Sequence, residues 1–137
     1  YGTPEVSLLE RYKDYKNIVF MGRHPQEKVF EALRQCHVAV NYFPTHRPHA
    51  LQTPTKLLEY GALGKRILCN EHPQSRQVSD QYGIKSMWGD TLDMFKSVPD
   101  DLSWPDNKGF DPAPMLWPSV IETSGIAAKL EEAVKRK

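Results

Sequence analysis

The chain has 137 residues, 39% of them hydrophobic and 26% charged, and 18 Lys and Arg against 17 Asp and Glu leave a formal charge of +1. This is enough for one globular domain, 1–137, with a core of its own, and the near-neutral balance speaks against a nucleic-acid binder, which carries a basic surplus on one face. No apolar run approaches the ~20 residues of a membrane span; no initiator Met or signal-peptide pattern opens the chain, which reads as a cytoplasmic piece of something longer.

In chain order, Val6, Leu8, Leu9 and Tyr12 amid charges predict an amphipathic helix from Val6 to Tyr15. Ile18 to Met21, closed by Gly22, reads as a buried strand. Val29, Phe30 and Leu33 share one stripe of a helix over 26–35, and 38–43 is a second strand stopped by Pro44. The stretch from Thr45 to Thr53 lacks periodicity and reads as a functional loop. A helix from Pro54 to Leu63 follows, with Gly64 past its end. Strands at 66–69 and 84–87 flank a helix from Ser75 to Tyr82, and Thr91 to Ser97 is one more short helix.

Residues 99–118 are rich in Pro and Asp and predict an irregular strap pinned by Trp104, Phe110 and Trp117. Residues 119–137 predict a final amphipathic helix kinked at Gly125. Its basic end, Lys135 to Lys137, leaves room for peripheral attraction to anionic lipid. Cys36 and Cys69 stand in no metal or redox spacing and read as reduced thiols.

Strands alternating with helices predict an α/β fold: a Rossmann-like parallel sheet with helices on both faces. In such sheets ligands bind beyond the carboxyl ends of the strands. Gly22 to Pro25, Phe43 to Thr53 and Asn70 to Arg76 are therefore the candidate loops. The richest in chemistry is the helix start at Pro54. With Thr53 as N-cap and Pro54 at the first helical position, the amides of Thr55 and Lys56 point outward, and the helix dipole adds about half a positive charge. That is a phosphate site, and Lys56 brings an ammonium to it. Glu59, one turn deeper, has the geometry to take the cis hydroxyls of a ribose. Leu57, Leu58, Gly61 and Ala62 form the face turned to the sheet. The plainer alternative is an exposed i, i+3 pair worth ~0.2–0.5 kcal/mol. His46 and His49 lack a third ligand, so no metal is expected.

The run from Asn17 to Ile84 resembles the C-terminal, donor-binding domain of GT-B glycosyltransferases, especially family 4. The resemblance rests on Asn17-Ile18-Val19-Phe20-Met21-Gly22, a helix Glu27 to Leu33, a strand leading to Pro44-Thr45, and Pro54-Thr55-Lys56-Leu57-Leu58-Glu59-Tyr60 with Gly64 before a short strand. About half the chain is covered. The resemblance implies a nucleotide-sugar substrate, UDP-sugar or GDP-sugar, with no cofactor. It implies donor diphosphate at Thr55 and Lys56 and ribose at Glu59. Gly22 lies in the loop that the family sets against the base, and Arg23, Thr45 and His49 are further candidates for base or sugar contacts.

It also implies that the first strands of the half and an N-terminal acceptor domain are missing here, and that 119–137 crosses back to that domain. No catalytic residue falls in this stretch, so the chain by itself is expected to bind donor and not to turn it over. Leu51 stands where many retaining members carry a second Glu, so the resemblance carries no retaining mechanism and extends to bacterial glucuronosyltransferases, which invert. The rival readings are a sugar-nucleotide epimerase of the same architecture and a non-catalytic α/β interaction module. The latter lacks support in the strand ends, where no Asp stands.

Overall fold

Two amphipathic helices open the chain, α1 (Val6–Tyr12) and α2 (Gln26–Gln35). They belong to the first of two units, Tyr1–Cys36 and His37–Lys137, of a computed structural model that describes residues 2–46, 52–90, 95–96 and 98–135. In the first unit Val29, Phe30 and Leu33 of α2 are half-buried, and no described residue of the unit is fully buried. The segment 18–21 departs from expectation. It forms no ladder among the described residues; Val19 is 72% exposed and Met21 45%. A strand exists only through its neighbours' hydrogen bonds; here the Ile18 amide donates to Tyr15 O at 3.1 Å, the His24 ring bonds Met21 O at 2.8 Å, and next to the stretch the Gly2 amide donates to Gly22 O at 2.8 Å.

The second unit holds three parallel strands, β1 (Val38–Asn41), β2 (Arg66–Asn70) and β3 (Met87–Gly89), in the order β1-β2-β3. Val38 pairs with Arg66 and Asn41 with Cys69; Leu68 pairs with Met87 and Asn70 with Gly89. Crossovers come from α3 (Thr55–Ala62) and α4 (Pro73–Tyr82). Because the strand order advances in one direction, two right-handed crossovers land on the same face. Accordingly Leu57 of α3 and Val78 of α4 pack with Ile67, Cys69 and Ile84 as one core. Burying each large side chain there stabilises by ~1.5–3 kcal/mol. The opposite face carries Leu68, which is buried, and Val40, which is 38% exposed. The result is α/β, a parallel sheet flanked by helices, with both crossover helices on one face.

The face that α3 turns inward is Leu57 and Gly61, with Leu58 half-buried; Ala62, expected there, is exposed. The end of α3 is a double hydrogen-bonded cap: the Gly64 amide donates to Gly61 O at 2.9 Å and the Lys65 amide to Tyr60 O at 3.0 Å. Gly64 holds φ +69°, and a Cβ there would come within 3.2 Å of the Lys108 Cα.

The strap is irregular apart from one 3₁₀ turn, Ala113–Met115. Trp104 is buried and Phe110 packs on the core. Trp117 is 77% exposed and pins nothing. Polar groups do most of the pinning. Asn107 is buried, accepts from the Lys85 amide, and donates to the carbonyls of Lys65 and Lys85, each at 2.8 Å. Arg66 Nε donates to the carbonyls of Leu102 and Trp104 at 3.0 and 3.1 Å.

The last helix is two, α5 (Trp117–Ser124) and α6 (Ile126–Lys135). Gly125 takes φ +67°, a left-handed conformation that ends a helix rather than bending it. The apolar stripe of α6 is uncovered, with Leu130 62% and Val134 73% exposed. Among the described residues no helix is long and apolar enough to cross a membrane. The helix expected at Thr91 to Ser97 lies largely outside the described residues.

Candidate functional site

A cleft of about 240 Å³ opens at the carboxyl end of β1, walled by residues 41–44 on one side and residues 52–56 on the other. A pocket for a whole drug-sized ligand runs to about 300–1,000 Å³, so this one suits a diphosphate-sized group. Thr55 and Lys56 both line it, and among the described residues Lys56 is the single charged one in its lining. Both are exposed.

The helix start differs from the expected cap. Pro54 is the N-cap, at φ −76° and ψ 78°, and no side chain caps the helix. Those angles close a tight three-residue turn in which the Thr55 amide donates to Thr53 O at 2.9 Å. The Thr55 amide is therefore committed, not outward-pointing, and Leu57 N donates to Pro54 O at 3.0 Å. Among the described residues the Lys56 amide has no acceptor. Lys56 thus carries both the free amide and the ammonium.

Glu59 is half-buried one turn along α3 and does not line the cleft. Thr45 is exposed and also outside the lining. His49 lies outside the described residues. Gly22 and Arg23 belong to the first unit, where Gly22 takes φ +71° and borders a separate hollow with Gly2 and Phe20.

Behind the cleft lies a buried polar layer; Asn70, His72 and Ser75 fall within the candidate ligand loop 70–76, yet none of them lines the cleft. Asn70, at the last position of β2, accepts from the Phe43 amide at 2.8 Å and donates back to Phe43 O at 2.9 Å. Its side chain thereby copies a rung of the sheet two residues beyond β1. His72, 2% exposed, sets its ring edge-to-face against Phe43 at 4.8 Å between centroids. Burial lowers its pKa, and a hydrogen bond to the Pro44 carbonyl works the other way. Its Nδ1 is buried with no partner. Asn41 Nδ2 donates to Ser75 Oγ at 3.4 Å, at the start of α4. Burial also pushes the Cys69 thiol up, away from thiolate chemistry. The signal was present: two Asn residues close otherwise apolar strands, and a buried polar side chain needs partners.

Glu71, expected on the ligand side, is occupied by Arg76. Arg76 Nε donates to Glu71 Oε2 at 2.9 Å and its Nη2 to Oε1. That guanidinium lies 3.9 Å from the centroid of the Trp88 ring. The pairing holds the Glu71 carboxyl below its ordinary range and raises Arg76. Among the described residues no group of three or more His, Cys, Asp or Glu could hold a metal ion. Compared with protein-family models, with curated proteins and with solved structures, the chain gives no match.

Proposed function

We propose that this chain is the nucleotide-sugar-binding domain of a glycosyltransferase of GT-B architecture. It would take a UDP- or GDP-sugar as donor, and a partner domain would supply the acceptor. The observation that carries the reading is the cleft where Thr55 and Lys56, at the start of α3, face the carboxyl end of β1. A diphosphate there meets the helix's positive end, the Lys56 amide and the Lys56 ammonium together. In the transfer step the same groups stabilise charge on the departing diphosphate, a contribution that often dominates catalysis. Glu59, one turn further along α3, is the carboxylate assigned to the ribose hydroxyls.

The test is titration of the wild-type chain, Lys56→Ala and Glu59→Ala with UDP, GDP and inorganic phosphate. Removing one charge-assisted contact weakens UDP or GDP about tenfold, or about 1.4 kcal/mol, and at the exposed Lys56 it leaves the unfolding free energy within ~0.5 kcal/mol. Lys56→Ala weakens phosphate as well, whereas Glu59→Ala affects only the nucleotides. Unchanged affinity in both variants removes the assignment.

A further inference from the structure

The wall of the cleft formed by Tyr42, Phe43 and Pro44 has no ladder of its own, since β1 ends at Asn41. Two buried side chains from the far end of β2 hold it instead. Asn70 takes both backbone groups of Phe43, at 2.8 and 2.9 Å. His72 packs its ring against the Phe43 ring in a T-shaped contact. Neither residue lines the cleft.

We propose that Asn70 and His72 are positioning residues, a latch that fixes this wall opposite Lys56, and that proton uptake by His72 opens it. A protonated imidazole must place two N–H donors, one on each ring nitrogen. Nδ1 is buried without a partner, so a proton there leaves a donor unsatisfied in the interior. His72 is also the N-cap of α4, next to amides that already present positive charge. The cation therefore turns out to water, and the packing against Phe43 goes with it. The titratable and charged groups on the elements around it do not offset this. Glu71 is paired to Arg76 in a fork, Cys69 stays a neutral thiol, and the cleft side contributes the cation Lys56 with His46 two residues beyond Pro44.

The proposal rests on the donor-site reading only for its consequence, loss of diphosphate affinity in acid; the latch itself needs no ligand. Hydrogen exchange at the Phe43 amide, corrected for the intrinsic pH dependence, reads the latch directly. Opening that takes up one proton increases by up to about tenfold per pH unit from the ordinary His value of about 6.5 down to the lower value of the closed state. His72→Gln, which cannot titrate, flattens that slope. A flat profile in the wild-type chain, or an equal slope in His72→Gln, overturns the latch. Should His72→Gln not fold, the wild-type His72 ring and Phe43 amide resonances are followed in one titration; a shared midpoint supports the latch and separate midpoints overturn it.

The consequence is read as the ratio of wild-type to His72→Gln affinity for UDP between about pH 7.5 and pH 5.5, in which protonation of UDP itself cancels. The ratio falls in acid if the wall positions the diphosphate, and a constant ratio overturns the positioning role. If UDP binds neither protein, the donor reading has failed, and the exchange data still decide the latch.

Discussion

The two ends of the sheet are clamped by the same residue type with opposite outcomes. At the amino end Asn107 brings the strap to Lys65 and Lys85 through three hydrogen bonds of 2.8 Å. At the carboxyl end Asn70 spends its amide on a single residue, Phe43. The His72 beside it keeps a buried nitrogen without a partner. The amino end uses Asn107 to join three separated stretches of chain, as a structural closure should. The carboxyl end uses its buried polar groups to place one wall of a cleft, and retains a group that a proton can upset. In open α/β sheets the carboxyl end is where ligands bind, and here the difference is visible in how the side-chain amides are used.

The sharpest way to break that contrast is Asn107→Ala. It removes the Asn107 bond from three backbone groups near the sheet's amino end and with it the link between strap and strands. Urea denaturation is expected to show a loss of about 3 kcal/mol or more, with UDP affinity of the folded protein unchanged. A loss under ~1 kcal/mol would mean that water or relaxation replaces Asn107, and the amino end would no longer count as the structural one. Next in size is Gly64→Ala. A Cβ at φ +69° within 3.2 Å of the Lys108 Cα is strained twice over, by its own conformation and by the strap's backbone. The expected cost is about 1–2 kcal/mol. Since Lys108 follows Asn107, the double variant should cost less than the sum of the two.

These positions also show what was legible beforehand. The crossover helices α3 and α4 and the strands β1 and β2 follow from apolar runs bounded by Pro and Gly, and Lys56 follows from reading a helix start. The fourth predicted strand begins late for reasons no local pattern contains. The Ile84 amide is spent on Ser79 O, closing α4, and both backbone groups of Lys85 are spent on Asn107. Pairing therefore starts at Met87. The segment 18–21 has strand composition, yet being a strand depends on a neighbour that its own residues cannot specify. The single predicted helix at 119–137 failed on one dihedral, because Gly125 tolerates a left-handed turn as readily as a kink. Asn70 and His72 were placed on the ligand side as part of the loop 70–76, but their contacts with Phe43 depend on a partner 27 or more residues away that no local pattern names.

The smallest effect expected is also the one that separates a surface pair from a working part. Arg76 and Glu71 are each nearly half exposed, so Arg76→Gln should cost no more than ~1 kcal/mol near neutral pH. Its pH dependence is more telling. Glu71 ionises more readily in the folded chain than at its ordinary value of 4.5. Its contribution is therefore full above that value and is lost as pH falls through the depressed one. The gap in stability between wild type and Arg76→Gln should close in that acid window, and high salt should narrow it at any pH. His72, also depressed, loses its contribution higher up, as pH falls below its ordinary 6.5. The two losses set in at different pH, below 6.5 for His72 and below 4.5 for Glu71, so a melting series across both distinguishes their onsets in one protein. If Arg76→Gln instead shifts the upper window, the fork is coupled to His72, and the latch extends from the cleft wall to Trp88, whose ring lies beneath the Arg76 guanidinium.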